Sequence, residues 1–299
     1  GFEASAGHFF ELDFILKLVS AQLHACIHHL AEPLLITIEP DAWVEEPAER
    51  ALIEKYIVES GYPNSQVLQQ SPRLYRTLYL QAELPLVSII IPNQGIHLTQ
   101  RCTESLLQNT GYTHYEILIV DNLSKDPAST AWLQGIGEID PQRFRIVSND
   151  GSKDIYTMKN LGAQAAQGDL LVFVDPSIQF IESSWLDALI NHAQRPQVGA
   201  VGVKLVDSSL NVFSAGYVLG MMKGNENAFV GERFDDIGYL QRLSVDQAYS
   251  AMSSRCVMVR KSHFETVGGF KASIGRNTET DIDFCFKIKA LGLDNIWTP

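Results

Sequence analysis

Cysteine is scarce in this chain, and where it occurs it is scattered. Cys26, Cys102, Cys256 and Cys285 are the four among 299 residues, and no two form a Cys-x-x-Cys pair. Neither a zinc site nor a disulfide framework is indicated, and buried thiols in a reducing compartment are the expectation. Long apolar runs are missing too: Leu86 to Pro92 and Leu170 to Val174 fall far short of the roughly 20 residues that a membrane helix needs. No basic start leads into an apolar signal core. Basic residues are in deficit, with 23 Lys and Arg against 35 Asp and Glu and a formal charge of −12, which argues against nucleic acid as the main partner. An anionic small ligand would then need local help from a bound cation, a few placed Lys or Arg side chains, or N–H groups at a helix start. The chain opens on Gly1 and stops at Trp297-Thr298-Pro299. Both ends read as cuts, so the expectation is a C-terminal truncation and additional domains outside this stretch.

What is present divides into two regions, 1–84 and 85–299. The first is predicted to be mainly helical: His8 to Glu32 has apolar residues at helical spacing, and Pro47 to Ser60 repeats the pattern behind a proline suited to a first turn. Its acidic stretch, Glu39 to Glu54, reads as a solvated face. His24 and His28 are one turn apart beside His29, but without an acid or cysteine at matching spacing they are not expected to hold a metal.

From Pro85 onward apolar runs alternate with helical patterns. Leu86–Ile91, Glu116–Val120, Phe144–Val147 and Leu170–Val174 read as strands, with helices over His97–Asn109 and Ile155–Gln167. Continuous apolar strands between helices predict an α/β fold, a mostly parallel sheet covered on both faces. Ligands of such sheets collect beyond the strands' carboxyl ends. Each of those four ends is polar: Pro92-Asn93-Gln94-Gly95, Asp121 to Asp126, Asn149 to Ser152, and Asp175-Pro176-Ser177. One such end is an ordinary turn; four on one sheet point to a nucleotide crevice. A glycine-rich phosphate loop after the first strand is missing, which disfavours nucleotidyl transfer.

The blocks PLVSIIIPNQG, RCTESLLQNTGYTHYEILIVDNLSKD, KNLGAQAAQGDLLVFVD, WLDALINHAQRPQVGAVGVKL, SSRCVMVRKSHFETVGGF and TETDIDFCFKIKALGL together resemble, in order, the family two glycosyltransferases with a GT-A, Rossmann-like fold. The resemblance runs from about Pro85 to Pro299. It implies transfer of a sugar, with inversion, from a nucleoside diphosphate sugar to an acceptor hydroxyl. By position it assigns Pro92, Asn93 and Gln94 to the loop lining the nucleoside and Asp121 to the base or ribose. Asn149, Gly151 and Asn160 fall on the segment wrapping the donor. Asp175 would hold a divalent cation, magnesium or manganese, against the diphosphate, and Asp281 would be the catalytic base. The chemistry asks for the same types: a carboxylate to take the attacking hydroxyl's proton, and positive charge for the leaving diphosphate. No nucleophile is needed for a single displacement.

The implied acceptor is a glycan or lipid-linked glycan of bacterial polysaccharide or glycoconjugate synthesis, handled in the cytoplasm or peripherally at the inner face of the membrane. The plainer alternatives are that Asp121 caps its turn, that Asp281 stabilises a helix start, and that Asp283 pairs with Lys287 on a helix surface. Departures from the family pattern are Pro176 and Ser177 where a second acid usually stands, Thr280 where an acid often precedes the base, and Arg255, in the acceptor-side loop, at a position usually small. The family's histidine ligand would lie beyond Pro299. A cation would then be held weakly by Asp175 with the donor's help. Lys159, just before Asn160, is expected to face solvent, the alternative being that its charge compensates for the missing acid. The rival expectation is a non-catalytic GT-A domain that binds a glycan or a partner protein.

Overall fold

A computed structural model of the protein describes residues 9–21, 47–80, 84–122, 126–149, 151, 153–221, 224–272 and 277–299. The chain separates into two units, Gly1–Gln81 and Ala82–Pro299. In the first, helix α1 (Phe10–Ser20) and helix α2 (Pro47–Glu59) accompany strands β1 (Gln66–Ser71) and β2 (Leu74–Leu78). The strands pair as an antiparallel hairpin that turns at Arg73, whose φ is 58°. This hairpin adds a small strand pair to the helices expected of the region. Its glutamine-rich, half-exposed strands carry little apolar signal, and it is tied to α2 by the Tyr75 hydroxyl donating to Glu49 at 2.9 Å. His24, His28, His29, Cys26 and residues 39–46 of the acidic stretch lie outside the described residues.

The second unit begins with the alternation the apolar runs predict. In order come β3 (Val87–Asn93), α3 (Ile96–Gln108), β4 (Tyr115–Asp121), α4 (Pro127–Ile139), β5 (Phe144–Ser148), α5 (Ile155–Ala165), β6 (Leu170–Val174), α6 (Trp185–Ala193) and β7 (Val198–Val203). Short pieces follow: β8 (Leu205–Val206), β9 (Val212–Ser214), β10 (Tyr217–Met221), β11 (Gly224–Asn227) and β12 (Gln247–Tyr249). Then come β13 (Cys256–Arg260), α7 (Lys261–Thr266), α8 (Asn277–Ala290) and β14 (Asp294–Thr298). Eight strands form one sheet in the order β12-β14-β7-β13-β6-β3-β4-β5. Strands β5, β4, β3 and β6 are parallel, while β13 runs antiparallel between β6 and β7.

The strands are apolar throughout because both faces are covered. Ile90, Leu118 and Phe173 pack on one side with Met158 of α5, Phe264 of α7 and Phe284 of α8. Ile89, Ile91, Ile117 and Val172 pack on the other with Leu106 of α3, Leu133 of α4 and Leu189 of α6. Each such side chain contributes about 1.5–3 kcal/mol by leaving water. Asp154 caps α5, its carboxylate accepting from the Thr157 N–H at 2.8 Å. Gly162 lets that helix lie against the sheet, since a Cβ there would sit 2.4 Å from Ile90 Cγ2. Cys102, Cys256 and Cys285 are free and buried. Among the described residues, no helix is long and apolar enough to cross a membrane.

Candidate functional site

Parallel pairing places the carboxyl ends of β3, β4, β5 and β6 along one edge. Antiparallel β13 starts at the same edge: Cys256 pairs with Val174, and the Asp175 N–H donates to the Arg255 carbonyl at 2.7 Å. The turn Ser253-Ser254-Arg255, distant in sequence, is therefore built beside Asp175.

On the β3–β5 side the expected nucleoside residues meet. The Asn93 amide donates to Asp121 Oδ1 at 2.7 Å, while its own carbonyl oxygen accepts from Thr99 Oγ1 at 2.8 Å and the Gly95 N–H at 3.2 Å. The Asn149 N–H donates to the Asp121 carbonyl at 2.8 Å. Pro92 is buried in β3, Gln94 is exposed, Asn149 is buried, and Gly151 is exposed with φ +111°. Only glycine adopts such a φ readily, so the main chain lies open there.

Near β6 a cavity of about 110 Å³ is lined by Asp175, Asp281, Lys159, Tyr156, Tyr217 and Arg255, among others. Asp281, in the second turn of α8, is 3% exposed. Its two oxygens accept from different phenols: Tyr156 to Oδ1 at 3.0 Å and Tyr217 to Oδ2 at 3.1 Å. Burial, reinforced by the Asp281 charge, raises both phenols above their ordinary range, so they remain hydrogen-bond donors to the carboxylate. Lys159, one α5 turn beyond Tyr156, is 1% exposed. Its ammonium donates to the Ser254 carbonyl at 2.6 Å and to Ser254 Oγ at 3.0 Å. Burial brings it down to about 8, against the opposing pull of Asp281 and Asp175.

Asp175 opens a tight turn. Its Oδ1 accepts from the Ser177 N–H at 2.9 Å and from Ser177 Oγ at 2.5 Å. Its Oδ2 lies 3.9 Å from the Arg255 guanidinium, and no other contact to that oxygen is seen among the described residues. Among those residues, too, no group of three His, Cys, Asp or Glu side chains is placed to hold a metal ion. One monodentate oxygen does not make a protein cage. It does fit a magnesium-like ion that takes its remaining ligands from water and donor phosphates.

Two expectations need correction. Lys159 does not face solvent; it is sealed by Ser254 and lies over the rings of Tyr156 and Phe270 at 5.4 and 5.5 Å. Asp281 does not cap a helix start, because α8 begins four residues earlier at Asn277. Asn160 points elsewhere: its amide donates to the Phe270 carbonyl at 2.7 Å and accepts from the Phe270 N–H at 3.0 Å. Asp283 pairs with Lys287 at 2.9 Å, as its spacing predicts, and with Lys271 at 2.8 Å. Thr280 is fully buried, and its hydroxyl makes no hydrogen bond among the described residues. Tyr156, Tyr217 and Ser254 were missed. The only local signal was the spacing of Tyr156 and Lys159, three apart and hence on one helix face.

This architecture has relatives. The pattern of glycosyl transferase family 2 matches residues 88–268. Over its full length the chain is 29% identical to an uncharacterized protein, y4gI, of Sinorhizobium fredii, and covers 34% of it. It is 30% identical to the O-antigen biosynthesis protein RfbC of Myxococcus xanthus, covering 23% of that protein. The chain thus spans about a third or less of the curated relatives it matches. Among solved structures, the mannosyltransferase PcManGT of Pyrobaculum calidifontis, in complex with GDP-Man and Mn2+, superposes with a TM-score of 0.52 at 15% identity, over 73% of this chain and 55% of that one. GalNAc-T7, with UDP, GalNAc and Mn2+, gives a TM-score of 0.58 at 15% identity, over 73% and 43%. These last two speak for the GT-A fold alone. With the elements from β3 through α7 spanned by the matched pattern and the strand ends arranged as described, the chain belongs to glycosyl transferase family 2.

Proposed function

We propose that this chain transfers a sugar, with inversion, from a nucleoside diphosphate sugar to an acceptor hydroxyl, in the synthesis of a bacterial surface polysaccharide or glycoconjugate. One observation carries the reading: Asp175 and Asp281 line the same cavity although 106 residues separate them in sequence. Strand spacing supports it. β4 lies two strands from β6, so Asp121 sits roughly 10 Å from Asp175, a span suited to a nucleoside at one end and its diphosphate at the other. The Myxococcus relative's name supports the polysaccharide role.

In this reading Asp281 accepts the acceptor hydroxyl's proton as that oxygen attacks the anomeric carbon. Tyr156 and Tyr217 fix the orientation of the carboxylate, and Lys159 supplies its buried counter-charge. Asn93 holds Asp121 toward the ribose or base, and Asn149 and Gly151 border the donor. Asp175 Oδ2 would be the protein's ligand to magnesium or manganese, whose charge would stabilise the leaving diphosphate. Asn160 acts by anchoring the Phe270 segment to α5.

A non-catalytic binding domain is the second reading, favoured by the Ser177 turn that occupies half of the Asp175 carboxylate. Incubation with a panel of sugar nucleotides and manganese, reading nucleoside diphosphate release with and without acceptor glycans, separates the two. Release that disappears in Asp281→Asn supports the enzyme; donor binding without release or transfer supports the binding domain.

A further inference from the structure

Resting on the reading above, we infer that Arg255 is a diphosphate-binding residue, so that donor recognition at this site depends only in part on a metal ion. Three observations converge on its side chain. First, its position is built: the Arg255 carbonyl is locked by the Asp175 N–H at 2.7 Å, and its guanidinium lies over the Phe213 ring at 5.2 Å. Second, it has spare donors. Among the described residues its guanidinium makes one hydrogen bond, to Ser177 Oγ at 3.3 Å, out of the five N–H groups an arginine carries. Third, it stands where the cation would: the same guanidinium is 3.9 Å from Asp175 Oδ2, the oxygen left open by the turn, and both residues line the cavity.

The contact with Asp175 is not a tight ion pair. At 3.9 Å with the arginine side chain 41% exposed, it is a weak, screened attraction that a better anion displaces. A diphosphate is such an anion, because a guanidinium fork matches two phosphate oxygens at once. Swinging from Asp175 to the phosphates releases the carboxylate for a cation. Charge accounting points the same way. Asp281 is matched by Lys159, which is buried and committed to Ser254, so Arg255 is the cationic side chain in the cavity lining that remains to meet an incoming diphosphate. Pro176 and Ser177 hold it close: the Ser177 hydroxyl links the turn to the guanidinium in place of a second carboxylate.

The test is calorimetric titration of the chain with UDP, GDP and dTDP, once in EDTA and once in manganese chloride, for wild type, Arg255→Ala, Arg255→Lys and Asp175→Ala. The expected result is that at least one nucleotide binds in EDTA, and that Arg255→Ala weakens this metal-free binding about 10- to 100-fold, the range for a charge-assisted contact. Arg255→Lys should fall between, keeping charge and losing the fork. Asp175→Ala should remove the manganese gain. Unchanged melting temperatures confirm folding of a half-exposed variant. Binding seen only with manganese, or metal-free binding indifferent to Arg255→Ala, overturns the inference and leaves the proposed transferase standing. No nucleotide binding under either condition overturns both.

Discussion

Asp281 and Lys159 form the part of the site where single atoms matter most. Asp281 is 3% exposed, and both of its oxygens are held by phenol donors, Tyr156 and Tyr217. Asp281→Asn keeps the shape and removes the base, so transfer should fall about 10²–10⁴-fold, while donor affinity by calorimetry stays unchanged. Equal loss of both would reduce Asp281 to a structural role. Lys159 adds a pH signature. Its folded-state value of about 8 lies below its ordinary 10.5. Between those values the unfolded chain binds more protons than the folded one, so the lysine's contribution to stability rises with pH across that window. Below it, the buried charge costs about 3 kcal/mol. Melting curves from pH 7 to 10 should show wild type gaining relative to Lys159→Met. Activity should run the other way, with an alkaline limb near pH 8 as the ammonium beside Asp281 discharges. A rate profile flat from pH 7 to 9.5 would remove Lys159 from the mechanism.

At the scale of elements, the apolar strands announced themselves, because a two-faced parallel sheet needs uninterrupted hydrophobic runs and little else looks like them. What the runs concealed was a polar bracket inside one of them. Glu116 is 2% exposed and accepts from Ser88 Oγ at 2.6 Å, the Gln167 N–H at 2.6 Å and Arg145 at 3.1 Å, binding β3, β4, β5 and the end of α5. Glu116→Ala strands those donors and should cost about 3 kcal/mol in chemical unfolding. The Asn160 clamp on Phe270 is a second polar tie. Gly269 has φ +68°, and a Cβ there would lie 2.7 Å from Asn160 Oδ1. Gly269→Ala should therefore break the clamp, lower the melting temperature and slow transfer. Retained melting temperature and rate would show that the clamp does not matter. Lys159 was misread for a related reason. Its helix spacing was visible, but its cover comes from Ser254, 95 residues away, and no local pattern records such a neighbour. The β1–β2 hairpin escaped because its strands bury little, leaving no alternation strong enough to compete with the helices before them.

On the scale of the whole molecule, a net charge of −12 repels an anionic donor at long range, so affinity has to be generated locally at the edge of the sheet. All the proposed contacts stand in the unit Ala82–Pro299: the Asn93–Asp121 pair, Asp175, Arg255, Lys159 and Asp281. The matched family pattern ends at residue 268, before Asp281, so the role proposed for Asp281 rests on the cavity rather than on the pattern. That unit has hydrophobic clusters on both sides of its sheet, which is what independent folding requires. A chain starting at Ala82 should accordingly fold and bind nucleoside diphosphate with an affinity within about threefold of the full chain's, roughly 0.6 kcal/mol. Circular dichroism melts and calorimetry on the two proteins decide this. If the shorter chain folds but loses nucleotide binding, residues 1–81 contribute to the donor site, and a binding site confined to the sheet edge is the wrong description.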